Sequence, residues 1–227
     1  MSAPGTVGVE AARAALRAGR AVVVPNPAPL TCVVAATLPH RIDEAKGRPA
    51  GRLVALWAHA DPTLDALDAV TDLSPASAAL ARRLLRAERV TLLVPLRADR
   101  PRPSWLAPAS RDGWAMLFGA RWSPVLPVLD PFPLLYVSSA NPTGSPPAPS
   151  PAAAVALFPP GTAVLDVAPA APDTGPRAAT TTLRLHPDGR LDLHREGAQD
   201  AGFPDRGAYL DHLRRLHADE GAAARGP

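Results

Sequence analysis

Lys46 is the only lysine in a 227-residue chain whose lysines and arginines together number 24, so every other basic side chain is an arginine. Where arginine has replaced lysine wherever a generic cation serves, a surviving lysine points to a need for a compact ammonium that a guanidinium cannot replace. It sits in Lys46-Gly47-Arg48-Pro49, with a second cation two positions on across a glycine. Extended residues i and i+2 point the same way, so both could face one anion. Arg48 would grip oxygens through parallel hydrogen bonds and Lys46 would supply a point charge. The competing reading is a solvated basic turn. Asparagine is nearly as scarce, occurring as Asn26 and Asn141. Asn141 lies in the run from Tyr136 to Gly144, where an apolar strand ends in Ser138, Ser139, Asn141 and Thr143. These offer donors and acceptors, and Gly144 permits close backbone approach to a ligand. Here the competing reading is an ordinary polar turn.

The elements that must position these residues are read from periodicity and punctuation. Helices are expected over Val7–Arg17 (stopped by Gly19), Asp61–Val70, Ser74–Arg86, Ser150–Phe158 and Arg206–His217, with a short helix or turn over His40–Lys46. Strands are expected over Ala21–Val24, Thr31–Ala36, Leu53–Trp57, Val90–Leu96, Trp114–Phe118, Leu134–Val137 and Thr162–Val167. Thr180–Leu185 and Leu191–His194 flank Asp188-Gly189 as a hairpin. Arg97–Ser110 reads as an exposed loop rich in Pro and Arg, and Pro169–Arg177 as a mobile run. Strands and helices interleave irregularly, which favours a mixed α/β sheet over a strictly parallel one.

Length allows one domain with a short appendage. Hydrophobic residues make up 47% and aromatics 4%, so Leu, Val and Ala must build the core. A net charge of +3 is compatible with nucleotide or nucleic-acid binding without requiring it. The lone Cys32 excludes an internal disulfide and fits a reducing compartment. With no signal-peptide pattern and no run of membrane-spanning length, a cytoplasmic protein is expected. The absence of Gly-x-Ser-x-Gly, a Walker-type loop and Cys-x-x-Cys argues against serine hydrolase, P-loop and redox chemistry. His186 and His194, on opposite arms of the hairpin, lack a nearby third ligand and read as solvated residues, so no metal site is expected. His59 reads as a hydrogen-bonded structural histidine. Trp57 and Trp114 read as core residues, Trp105 and Trp122 as loop anchors.

Taken together, Lys-x-Arg-Pro followed late by Ser139-Ala140-Asn141-Pro142-Thr143-Gly144-Ser145-Pro146 resembles the YrdC-like family of threonylcarbamoyl-AMP synthases. The opening helix, Val22-Val23-Val24-Pro25, Leu53–His59, Val90–Pro95, Thr180-Thr181-Thr182 and Arg195-Glu196-Gly197-Ala198 fall in register with it, over residues 7–200. The remaining 201–227 would be a C-terminal helix and tail. The resemblance implies a twisted open mixed α/β sheet with a large concave, positively charged cavity. It also implies an enzyme that joins L-threonine, bicarbonate and ATP into threonylcarbamoyl-adenylate for tRNA modification. Lys46 and Arg48 would neutralise carbamate and phosphate charge. Ser139 and Asn141, with Thr143, would hold the nucleotide, and Asn26, Thr31, Thr181 and Arg195 would lie along the same cavity. Mg²⁺ would arrive on the triphosphate, and tRNA or double-stranded RNA would be a further partner.

Three segments depart from the family pattern. Pro-Thr-[Asp/Glu]-Thr-x-Tyr-Gly-Leu is replaced by Pro25-Asn26-Pro27-Ala28-Pro29-Leu30-Thr31, where Asn26 could stand in for one hydroxyl. Pro-Gly-Pro is replaced by Ala87-Glu88-Arg89. Val-Arg-[Val/Ile]-Pro reads Met116-Leu117-Phe118-Gly119, which puts a leucine where a cavity arginine is expected. Two further readings therefore stand beside the first. One is a relative that binds nucleotide or double-stranded RNA without turnover. The other is a paralogue acting on another carbamoyl-type substrate.

Overall fold

The valine-rich runs become strands because β-branched side chains pack well on a pleated surface. The structure, a computed structural model, describes residues 5–167 and 175–223. Its elements begin with α1 (Val9–Arg17), β1 (Val22–Val24), β2 (Val33–Ala36), α2 (Pro39–Ala45) and β3 (Ala55–Trp57). Next come α3 (Asp61–Asp68), α4 (Pro75–Arg83), β4 (Thr91–Pro95), β5 (Ser110–Arg111) and β6 (Trp114–Phe118). After α5 (Leu126–Leu129) and β7 (Tyr136–Ser139) follow α6 (Pro151–Leu157), β8 (Ala163–Val164), β9 (Thr182–Leu185), β10 (Leu191–Arg195) and α7 (Arg206–Ala223). The punctuation behaves as its chemistry dictates: Ser74 and Ser150 accept from the Ser77 and Ala153 amides ahead of a proline-started helix. Gly19, at φ +68°, turns the chain out of α1.

The strands form one ten-stranded twisted open sheet in the order β10-β9-β4-β6-β3-β7-β2-β1-β8, with β5 beside β6. Pairings β1·β8, β3·β6 and β4·β9 are parallel and the rest antiparallel. The sheet is thus mixed. Side chains alternate between its faces. One face, with Val34, Leu56, Leu92, Leu117 and Leu183, packs with Ile42 of α2, Leu64 of α3, Ala154 of α6 and Leu213 of α7. Tyr209 and Leu210 of α7 belong to the same cluster, so the C-terminal helix shares the core of the preceding sheet. The opposite face is covered by α1 (Ala12, Ala15, Leu16) and α5 (Val128, Leu129), which lie over Val22, Ala35 and Trp57.

Some expectations are corrected. Within the expected loop 97–110, Ser104–Ala109 forms a 3₁₀ turn that buries Leu106 and Ala109 completely. Pro108 also accepts from the Val54 amide at 3.2 Å. Proline density suggested exposure, but the buried residues lie three apart, the 3₁₀ repeat, and so share one side of the turn. Helix α5 had no sequence signal, because Pro124 and Pro127 interrupt its pattern. Trp114 is half-buried rather than core, with the Arg184 guanidinium 4.7 Å from its ring centroid. Most of the proline-rich run expected to be mobile (169–174 of residues 169–177) lies outside the described residues. Among the described residues no helix is long and apolar enough to cross a membrane.

Candidate functional site

Beyond the reach of α1 and α5 the second face of the sheet opens into a cavity of about 260 Å³. Its floor alternates out of several strands: Val33 of β2, Val137 of β7, Ala55 of β3, and Met116 and Phe118 of β6. Its polar wall carries Asn26, Thr31, Ser138, Ser139, Thr91, Thr180 and Thr182, with His194 and Arg195 closing the β10 side. The register explains the grouping, because Thr91 pairs with both Thr182 and Phe118, and Arg195 pairs with Thr182. Period-two alternation also relocates one sequence expectation. Leu117 belongs to the helix-covered core and does not face the cavity; the cavity positions of β6 are Met116 and Phe118. The wall there is apolar.

The two cations do not face one anion together. Lys46 follows α2 as its C-cap, and Gly47 at φ +57° then swings the chain away. The Lys46 ammonium, only 5% exposed, donates to the Ser139 carbonyl and, at 2.9 Å, to Asn141 Oδ1. Ser139 Oγ also donates to Asn141 Oδ1 at 2.6 Å, and Asn141 Nδ2 donates to the Ser145 carbonyl. The lone ammonium and the second carboxamide are therefore in direct contact, 95 positions apart in sequence, and Ser139 joins them to the cavity wall. Burial first, and neighbouring Arg48 second, lower the Lys46 pKa to about 8 against the opposing effect of Asp43.

Arg48 turns instead to Asp43, with Nε donating to Oδ1 at 2.6 Å while the Gly51 amide donates to Oδ2 at 3.0 Å. This buried carboxylate, which sequence reasoning missed, ties down both ends of the cationic loop. A signal existed: an acidic residue in the last turn of a helix opposes the helix dipole, so it implies another partner. Arg48 Nη2 is buried without a hydrogen-bond partner among the described residues.

The Asn26 loop is braced from several sides. Arg177 Nη1 donates to the carbonyls of Asn26 and Leu30, Trp122 Nε1 donates to that of Pro25, and the Thr31 amide donates to Ala178. Thr181 is fully buried beneath the wall, where its hydroxyl donates to Asp200 and its amide to Gln199. Its neighbours Thr180 and Thr182 line the cavity, the former sharing a 2.6 Å hydroxyl contact with Thr91. Gly197 is required here, because a Cβ would lie 2.3 Å from the Thr181 nitrogen. Arg195 Nη2 donates to the Thr180 carbonyl at 3.2 Å. Thr143 is exposed on the turn after Asn141.

His59 is buried between the carbonyls of Trp57 and Leu129, away from the cavity lining. Burial depresses its pKa, so the neutral ring donates to one of the two. His186 pairs with Asp192 at 2.7 Å, whereas His194 lies on the cavity rim. Among the described residues no group of three or more His, Cys, Asp or Glu is placed to hold a metal ion.

No family model and no curated protein matches the sequence. Solved structures do match. P. abyssi Sua5, in complex with L-threonine, superposes with a TM-score of 0.63 at 19% identity, over 83% of this chain and 54% of that one. E. coli YciO gives 0.60 at 14% identity over 83% and 88% of the two chains. Full-length HypF in a phosphate- and nucleotide-bound form gives 0.61 at 14% identity, over 86% of this chain and 30% of that one. The chain thus spans about half the length of Sua5. It has the YrdC-like fold.

Proposed function

We propose that this chain forms an adenylate in the manner of the threonylcarbamoyl-AMP synthases, using L-threonine, bicarbonate and ATP and releasing pyrophosphate, for tRNA modification in the cytoplasm. The observation that carries the reading is the Lys46–Ser139–Asn141 cluster at the edge of a hydroxyl-lined cavity closed by Arg195. The threonine nitrogen attacks the bicarbonate carbon and water leaves, giving a carbamate. A carbamate oxygen then attacks the α-phosphorus, and the bond to the β-phosphate breaks with its electron pair leaving on pyrophosphate. Both partners are anions, so the cavity must offset their repulsion and hold the attack in line.

Lys46 supplies charge from behind the wall and fixes Ser139 and Asn141, which with Thr143 meet the phosphates. Arg48, its charge offset by Asp43, anchors the loop that carries Lys46, and Arg195 adds a second positive group on the far rim. Thr31 and Asn26 contact the amino-acid or nucleoside end, and Thr181 keeps its neighbours in place. Mg²⁺ enters with the triphosphate as its counter-ion. The concave face, with these cations, is also where tRNA or double-stranded RNA would rest.

The apolar Met116 and Phe118 favour a second reading, an enzyme of the same chemistry acting on a different amine. One experiment separates them: pyrophosphate release from ATP, Mg²⁺ and bicarbonate with a panel of amino acids. Threonine-dependent release that falls about 100-fold in Lys46→Ala supports the first reading, since a lost electrostatic contact typically costs that much. Release with another amine alone supports the second. Release unchanged in Lys46→Ala, or nucleotide binding without any release, overturns both.

A further inference from the structure

Forming a carbamate sets a requirement that the residues assigned so far do not meet. At neutral pH the α-amine of an amino acid is largely an ammonium, whose nitrogen has no lone pair until a proton is removed. Lys46 is engaged as a donor to Ser139 and Asn141. Among the described residues lining the cavity, only His194 and Arg195 are ionisable. A guanidinium keeps its protons, which leaves the imidazole. Neighbouring side chains of a regular strand point to opposite faces, yet these two line one cavity. A β-bulge is the cause: Leu193 pairs with Leu183 and Arg195 with Thr182, so His194 is the extra residue. Bulges re-aim side chains in this way beside active sites. His194 is also exposed, so it can exchange its proton with solvent.

We propose that His194 is the general base of the first step, a role that rests on the adenylate-forming reading. A ring nitrogen takes one proton from the substrate ammonium. The freed lone pair forms the N–C bond to bicarbonate, the C–OH bond breaks, and that oxygen leaves as water with the second proton of the nitrogen. The imidazolium offsets the charge of the new carbamate and then returns its proton to solvent. The β10 side is joined to the phosphate side by a short path. Arg195 holds the Thr180 carbonyl at 3.2 Å, the Thr31 amide donates to the Ala178 carbonyl at 3.0 Å, and Val33 pairs with Ser139. The other charged groups nearest on these strands are Asp192, already paired with His186 and Arg190, and Arg184, stacked on Trp114. Helix α7 also packs on β10, but through Leu210 and Leu213 on the core face.

The test is pyrophosphate release at saturating ATP, bicarbonate and amino acid, followed from pH 6 to 9 in variants of His194. His194→Gln keeps the size and polarity of the ring without its basicity. It should lower the rate about 100-fold at pH 7, the lower end of what a positioned general base contributes. The deficit should shrink as pH rises, because solvent then supplies the free amine. Imidazole added to His194→Ala should restore part of the lost rate and should not accelerate the unaltered protein. ATP formation from the carbamoyl-adenylate and pyrophosphate reverses adenylyl transfer alone and moves no amine proton, so both variants should largely retain it. His186→Gln, which alters the histidine paired with Asp192, should release pyrophosphate at the unaltered rate. A merely structural role would lower both directions together and resist imidazole. That result, or an unchanged rate in His194→Gln, overturns the inference and leaves adenylate formation standing. No release by the unaltered protein with any amino acid overturns both.

Discussion

Lys46 allows an unusually direct measurement, because a chain grown on ¹⁵Nζ-labelled lysine carries a single labelled ammonium. Burial behind Ser139, with Arg48 beside it, brings its pKa down from 10.5 to about 8. That corresponds to about 3 kcal/mol against the charged form in the folded state. The sign follows from linkage. Below pH 8 both the folded and the unfolded chain hold the proton, so the penalty is present in full. Between 8 and 10.5 the unfolded chain still holds a proton that the folded one has released, so stability rises with pH by up to about 3 kcal/mol. Above 10.5 the penalty is gone. Cys32 acts in the opposite sense, since its buried thiol is pushed up to about 12 and ionises first in the unfolded chain above pH 9. The informative quantity is therefore the difference between this protein and Lys46→Met, each unfolded in urea from pH 7 to 10.5. The Nζ resonance should titrate near pH 8, and the difference curve should climb across the window. A resonance that titrates at 10 or above, or a flat difference curve, would refute the claim that burial dominates at this site.

Asp43→Asn should lower stability by about 3 kcal/mol, the usual cost of breaking a buried pair from one side, and the melting midpoint by about 10 °C. Because Asp43 raises the Lys46 pKa, the same substitution should move the Nζ titration still lower. An unchanged melt would show that Arg48 finds another partner. Leu117→Arg should cost more than about 4 kcal/mol and abolish soluble expression, since it puts a charge into the helix-covered core. Met116→Arg, one residue away but facing the cavity, should fold and should tighten binding of ATP. Equal tolerance of the two would contradict the facing assigned to β6, and expression levels with ATP titrations check it.

How much could be read in advance depended on whether a feature is local. Caps and breakers such as Ser74-Pro75, Ser150-Pro151 and Gly19 act on the nearest turn, so the helices they bound fall where their residues say. Helix α5 broke that rule because its packing against α1, and not its own proline-interrupted pattern, makes it a helix. The same holds for Leu106 in its 3₁₀ turn. Composition made Lys46 and Asn141 conspicuous, but their contact depends on how α2 lies beside β7.

The residues alone determined the type of every element with a local signal, though not of α5 or the 3₁₀ turn at Ser104–Ala109, together with the mixed α/β class and the identity of the scarce side chains, because propensity, capping and period-two alternation are properties of a few neighbours. Only the tertiary structure decided which way those side chains turn. Sheet register carried Leu117 into the core and left Met116 and Phe118 on the cavity floor. A buried carboxylate claimed Arg48, and the exit of β7 claimed Lys46. Such choices follow from desolvation: a buried charge takes the partner that the folded chain brings within hydrogen-bond reach, however far off in sequence that partner lies.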